Sequence, residues 1–137
     1  MRRARARPSW LKWDVGLALG YVVAIFVVGS LPGAPPVARD VSDKLQHAVG
    51  FGLLAWLWCR ALLELRPEQG LIRAALGGFA ISVGVGGVLE LWQSLLSYRT
   101  CELLDWVADT VGAGLAAALF VGVRQRLGAR ARARGGE

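Results

Sequence analysis

Four long stretches of the chain are almost free of charge, and short polar segments separate them. The first covers residues 15–31 and stops at Pro32. At about 1.5 Å per helical residue, it reaches across most of a hydrocarbon layer about 30 Å thick. The second covers residues 45–65, the third 71–96 and the fourth 104–123. None alternates apolar and polar residues with the period of two that marks a strand. The pattern predicts helices over residues 14–31, 44–65, 71–97 and 104–123. An irregular segment (PGAPPVARDVSD), a tight turn (RPEQG) and a polar loop (SYRTCEL) join them.

Composition turns these helices into membrane spans. The chain is 55% hydrophobic and 19% charged, with a mean hydropathy of +0.45, and a soluble domain of this length carries more charge. The expected fold class is therefore an all-α integral membrane protein, a four-transmembrane-helix bundle. Residues 1–12 form a basic segment, 13–123 the membrane domain, and 124–137 a basic, disordered tail. Arginines followed by an apolar run also begin secretory signal peptides. Trp10, Trp13 and Tyr21 suit a membrane helix and its interface, no A-x-A cleavage site stands out, and a retained first helix is the favoured reading.

The net charge of +6 raises the question of nucleic acid. The basic residues gather at the termini and in one turn, with no basic surface interleaved with aromatics, so nucleic-acid binding is not expected. With four spans, one side receives Arg2, Arg3, Arg5, Arg7, Lys12, Arg60, Arg66, Arg73 and the tail arginines 124, 126, 130, 132 and 134. Only Arg39, Lys44 and Arg99 fall on the other side, so the positive-inside rule puts both termini in the cytoplasm. Cys59 and Cys101 then lie at opposite ends of the bundle and are expected as free thiols. Small residues crowd the last two helices, among them Gly77, Gly78, Gly84, Gly86, Gly87, Ala108, Gly112 and Gly114. They are read as close helix packing and not as a phosphate loop, since no G-x-x-x-x-G-K-[ST] pattern is present.

The unusual polar residues all fall toward the end opposite the termini. Asp43, Lys44 and His47 open the second helix, Glu90 and Gln93 lie near the end of the third, Arg99 is in the loop, and Asp105 and Asp109 open the fourth. Asp43 and His47 are spaced i,i+4, as are Asp105 and Asp109, and Glu90 and Gln93 are i,i+3, so each pair shares a helix face. Gly112 continues the Asp105/Asp109 stripe, where a neighbouring helix would pack closely. An isolated charge inside a membrane costs about 2.5–3.5 kcal/mol, a cost that grouping with Lys44, His47 and Arg99 reduces. Asp43, Lys44, His47, Glu90, Gln93, Arg99, Asp105 and Asp109 are thus expected as one outward-facing polar cluster between helices two to four. The competing view is that these groups only glue helices together.

The segments SDKLQHAVGFGLLAWL and ELWQSLLSYRTCELLDWVADTVGAGLAAAL carry a resemblance. Together they resemble the VanZ-like family of small bacterial membrane proteins, through D-K-x-x-H, then E-x-x-Q, Arg, Asp, a polar residue four positions on, and Gly. Those positions are Asp43, Lys44, His47, Glu90, Gln93, Arg99, Asp105, Asp109 and Gly112. Asp109 stands where Asn is common, and Tyr98 where Pro often precedes the Arg. The resemblance implies a multi-pass protein of the bacterial cytoplasmic membrane, a cell-envelope setting, and a link to lipid-tailed glycopeptides of the teicoplanin type.

The leading expectation is a protein that binds a lipid-linked precursor or another amphiphile, with Arg99 and Lys44 on a phosphate or carboxylate. Its partners would be membrane lipids and that ligand, a homo-oligomer being compatible. The alternative is a membrane-embedded enzyme on a lipid phosphate or ester, with His47 and Glu90 as acid–base groups and Arg99 stabilising negative charge. No cofactor and no metal are expected, although the carboxylates and His47 form an oxygen-rich donor set of the kind that holds Mg2+ or Mn2+. A proton-coupled transporter ranks last, because four helices without an inverted repeat are few for alternating access.

Overall fold

A computed structural model describes residues 11–32, 40–99 and 102–134. Four α-helices carry the described chain: α1 (Leu11–Ser30), α2 (Asp40–Leu65), α3 (Gly70–Gln93) and α4 (Leu103–Arg134), with a 3₁₀ turn at Pro67–Gln69. All four are long and apolar enough to cross a membrane. The arginines before Leu11, Arg39 and Cys101 lie outside the described residues.

The helices run alternately up and down. At one end, Arg60 of α2 pairs with Asp14 of α1 at 2.8 Å, and Arg124 of α4 approaches Glu64 of α2 at 4.0 Å. At the other end, the start of α2 meets the start of α4, and the end of α3 meets the end of α1. The polar residues singled out from the sequence gather at this second end.

Helices α2, α3 and α4 form the tight part of the bundle, and small residues let them. A Cβ added at Gly112 would fall on the carbonyl oxygen of Ala48, so α4 lies directly against the backbone of α2. One added at Gly78 would stand 2.6 Å from the Cys59 nitrogen, which brings α3 equally close to α2. Side chains then reach across to backbone: Ser82 Oγ donates to the Phe51 carbonyl at 2.8 Å, and Trp106 Nε1 to the Val83 carbonyl at 3.1 Å. The free thiol of Cys59 is buried in a cluster with Ala75, Ala117 and Phe120. The outer faces remain apolar, with Leu45, Val49, Leu76, Leu91, Val111 and Leu115 all more than half exposed. An apolar belt of that extent suits lipid and not water.

Helix boundaries depart from the sequence pattern at several ends, α1 starting early at Leu11 and α2 at Asp40, within the segment expected to be irregular. α3 stops at Gln93 instead of residue 97. Beyond it the bonds tighten to i→i−3, from Leu95 N to the Trp92 carbonyl and from Leu96 N to the Gln93 carbonyl. Tyr98 and Arg99 are thereby turned toward α1. The expected disordered tail is helical as far as Arg134. Its Ala, Arg, Gln and Leu are strong helix formers, and the single Gly128 costs only about 1 kcal/mol.

Candidate functional site

Periodicity places the cluster. Asp105 and Asp109, one turn apart on α4, both face α2, where Lys44 and His47 occupy adjacent positions on its first turns. The shortest contact joins His47 Nδ1 to Asp109 Oδ1 at 2.9 Å, with Asp109 fully buried. His47 Nε2 points toward Asp105 Oδ2 at 3.8 Å. Lys44 Nζ stands 3.7 Å from both Asp105 Oδ1 and Glu102 Oε2, tying the start of α2 to the start of α4. Glu90 reaches in from α3, where its Oε2 accepts the Glu102 N–H at 3.0 Å. A donor atom of Glu90 lies within 4.8 Å of one on His47 and one on Asp109, and the same holds for Asp43, His47 and Asp105. Six of the eight expected residues thus assemble as one group: Asp43, Lys44, His47, Glu90, Asp105 and Asp109.

Gln93 and Arg99 do something else. Gln93 Nε2 donates to the Gly29 carbonyl at 2.9 Å, and Arg99 donates to the Leu31 carbonyl at 2.8 Å. Tyr98 joins them, its hydroxyl donating to the Ser30 carbonyl at 2.7 Å. These are the last carbonyls of α1, which have no partner within their own helix. The Arg99 charge also lies at the negative end of the α1 dipole. Its described contact is thus to α1, while it lines the same cavity as Asp43 and His47.

The cavity also lies elsewhere than expected. Between α3 and α4 lies an apolar groove, lined by Ala75, Leu76, Phe79, Gly114 and Ala117 and away from the polar cluster. A cavity of about 300 Å³ opens instead between α1, α2 and α3. α1 is tied at its two ends by the Asp14 pair and by the carbonyl contacts, and between them Tyr21, Val22, Ile25 and Phe26 pack against Phe51, Leu54 and Leu89 beside the cavity. The cavity is polar at the cluster end, where Asp43, Gln46, His47, Gln93 and Arg99 line it, and apolar along Tyr21, Ile25, Phe51 and Leu89. His47 and Asp43 belong to both cluster and cavity. Tyr21 and Gln46 are lining residues that the sequence reading missed, since neither belongs to a polar stripe. Ser82 was missed too, and its signal was visible: a single hydroxyl within an otherwise apolar run, two turns before Glu90.

Comparison with known proteins adds a family. No family model matches the chain, and no solved structure matches it. The chain is similar to uncharacterized protein C11E3.10 of Schizosaccharomyces pombe, with 33% identity over 119 residues, covering 83% of this chain and 69% of the yeast protein. It belongs to the same family as that protein.

Proposed function

We propose, for this member of the family it shares with the yeast protein, a multi-pass membrane protein that binds an amphiphile in the cavity between α1, α2 and α3. Both termini would lie in the cytoplasm, and the polar cluster at the opposite face. One observation carries the reading: a cavity of about 300 Å³ that is polar at its mouth and apolar along its wall. An anionic headgroup fits beside Arg99 and His47, and an acyl or prenyl tail beside Tyr21, Ile25, Phe51 and Leu89. Lys44, turned to Glu102 and Asp105, takes no part in holding it. The VanZ-like resemblance supports a bacterial cytoplasmic membrane, with a lipid-linked envelope precursor or a lipid-tailed glycopeptide as ligand. A relative in a fission yeast favours an amphiphile found in many kinds of membrane.

A second reading has its own support. Buried Asp109 holds Nδ1 of His47 at 2.9 Å while the ring faces the cavity, which is how a carboxylate orients an imidazole for acid–base work. An enzyme acting on a lipid phosphate or ester would use His47 in this way, with Glu90 on α3, whose Leu89 and Gln93 line the cavity. The test is binding of hexadecyl phosphate to purified protein, compared with the uncharged hexadecyl maltoside. Ala24→Trp fills the cavity from exposed α1 and should abolish binding without lowering thermal stability. Equal binding by the Ala24→Trp protein would rule out the cavity as the ligand site. Release of inorganic phosphate, absent in His47→Gln, would favour the enzymatic reading.

A further inference from the structure

Asp43, Asp105 and Asp109 bring three carboxylates around His47, and Lys44 stands on one side of Asp105. Glu90, Asp105 and Asp109 are buried, at 5%, 6% and 0% exposure, and Asp43 and Glu102 border them. Facing them are Lys44, itself shared between two carboxylates, and His47. Arg99, the other cation at this end among the described residues, lines the cavity and donates one of its N–H groups to the Leu31 carbonyl. Asp109 Oδ2, toward Gly86, accepts no hydrogen bond, and Asp105 Oδ1 accepts none but has Lys44 Nζ at 3.7 Å. Carboxylates removed from water need a positive partner, and polar atoms buried without one are rare.

The orientation of His47 says where a cation would sit. Its Nδ1 is taken up by Asp109, so Nδ1–H donates, and the neutral ring then carries its lone pair on Nε2. Nε2 faces Asp105 Oδ2 at 3.8 Å, and a donor oxygen of Asp43 lies within 4.8 Å of both residues' donor atoms. Donors bound to one ion at about 2.1 Å stand about 3.0–3.4 Å apart, so small side-chain rotations close this set. Lys44 approaches the other oxygen of Asp105, Oδ1, and leaves Oδ2 to the imidazole side. A carboxylate behind a ligating histidine is the usual support of a bound metal, fixing both tautomer and ring angle. Asp43 and His47 also line the cavity, which offers an ion a route in and open coordination positions.

We propose that Asp43, His47 and Asp105 bind a divalent transition-metal ion, Zn2+ or Mn2+, with Asp109 orienting the imidazole. The one-nitrogen, two-oxygen donor set suits these ions better than Ca2+ or Mg2+, which prefer oxygen alone. The site does not depend on what fills the cavity.

The experiment uses full-length protein purified in detergent without a histidine tag and stripped with a chelator. Zn2+ is titrated by calorimetry and Mn2+ by loss of the free-ion spin-resonance signal. One ion per chain with a micromolar or tighter dissociation constant is expected. Asp43→Asn, at a half-buried and tolerant position, should weaken binding at least about tenfold. Asp109→Asn removes no ligand and should weaken it about 10- to 100-fold. Lys44→Gln removes a competing cation and should tighten it. Thermal melts of each apo variant confirm that it is folded. Absence of stoichiometric binding by the wild type would overturn the proposal, since the carboxylates would then be neutralised by protons. So would Asp43→Asn binding as tightly as wild type, or Lys44→Gln weakening it.

Discussion

Replacing Gly112 by alanine tests the packing that creates the site. The new methyl group would land on the Ala48 carbonyl oxygen, with Ala48 Cα only 2.7 Å away. These are backbone atoms of a helix and cannot rotate aside, so α2 and α4 must separate. Overpacking of this kind costs about 1–3 kcal/mol, and a backbone obstacle puts Gly112→Ala in the upper half of that range. The better helix propensity of alanine offsets up to about 1 kcal/mol. The net expectation is destabilisation by about 1–2 kcal/mol. Separation also stretches the 2.9 Å contact between His47 and Asp109, which lies one turn from Gly112. Gly122→Ala is the control on the same helix: nothing lies within 4 Å of its added Cβ, so only the propensity gain remains. Unfolding by SDS in dodecyl maltoside micelles measures both variants. If Gly112→Ala proves as stable as wild type, the close approach of α2 and α4 is not what holds the bundle. If Gly122→Ala proves equally harmful, alanine substitution in α4 is damaging for some reason other than this contact.

Ser82→Ala removes a fully buried hydroxyl donating to the Phe51 carbonyl and should cost about 0.5–1 kcal/mol in the same assay, less than Gly112→Ala. A larger loss would mean that the hydroxyl does more than bridge α3 and α2. In a Cys101→Ser background, a membrane-impermeant maleimide added to intact cells should label Tyr98→Cys and spare Glu68→Cys. The reverse pattern would invert the proposed topology and place the cluster in the cytoplasm.

The helices were legible because an apolar run of twenty or so residues has few alternatives to a helix. The sharing of faces was legible as well. Asp105 and Asp109 are four apart and do face α2 together, and Gly112 continues their stripe into the Ala48 contact. The contact of Arg99 with α1 was not legible because its partner is a backbone carbonyl at the end of that helix, and no residue type announces a helix end as a binding partner. The cavity was misplaced for a related reason. α1 has neither an interior charge nor a polar stripe, so its sequence does not say how closely it packs. α4 outran its apolar stretch because an arginine-rich run can be both a solvated segment and a good helix. Hydropathy reports the first property and is blind to the second.

Close packing and buried charge at this end of the bundle are one feature. Gly112 brings α4 against α2 at Ala48, and that approach sets His47 next to Asp109. Gly86 does the same for α3, since a Cβ there would stand 2.8 Å from Asp109 Oδ2. Larger residues at either position would spread the three helices and open the carboxylates to water. Each acid would then be solvated separately and would need neither His47 nor a shared cation. Small residues therefore give the cluster its character: they keep water out, so the acids must be neutralised by what the three helices supply or bind. α1 adds no acid to this cluster, its Asp14 lying at the other end against Arg60. It packs more loosely than the other three helices, and the cavity onto which Asp43 and His47 open lies beside it.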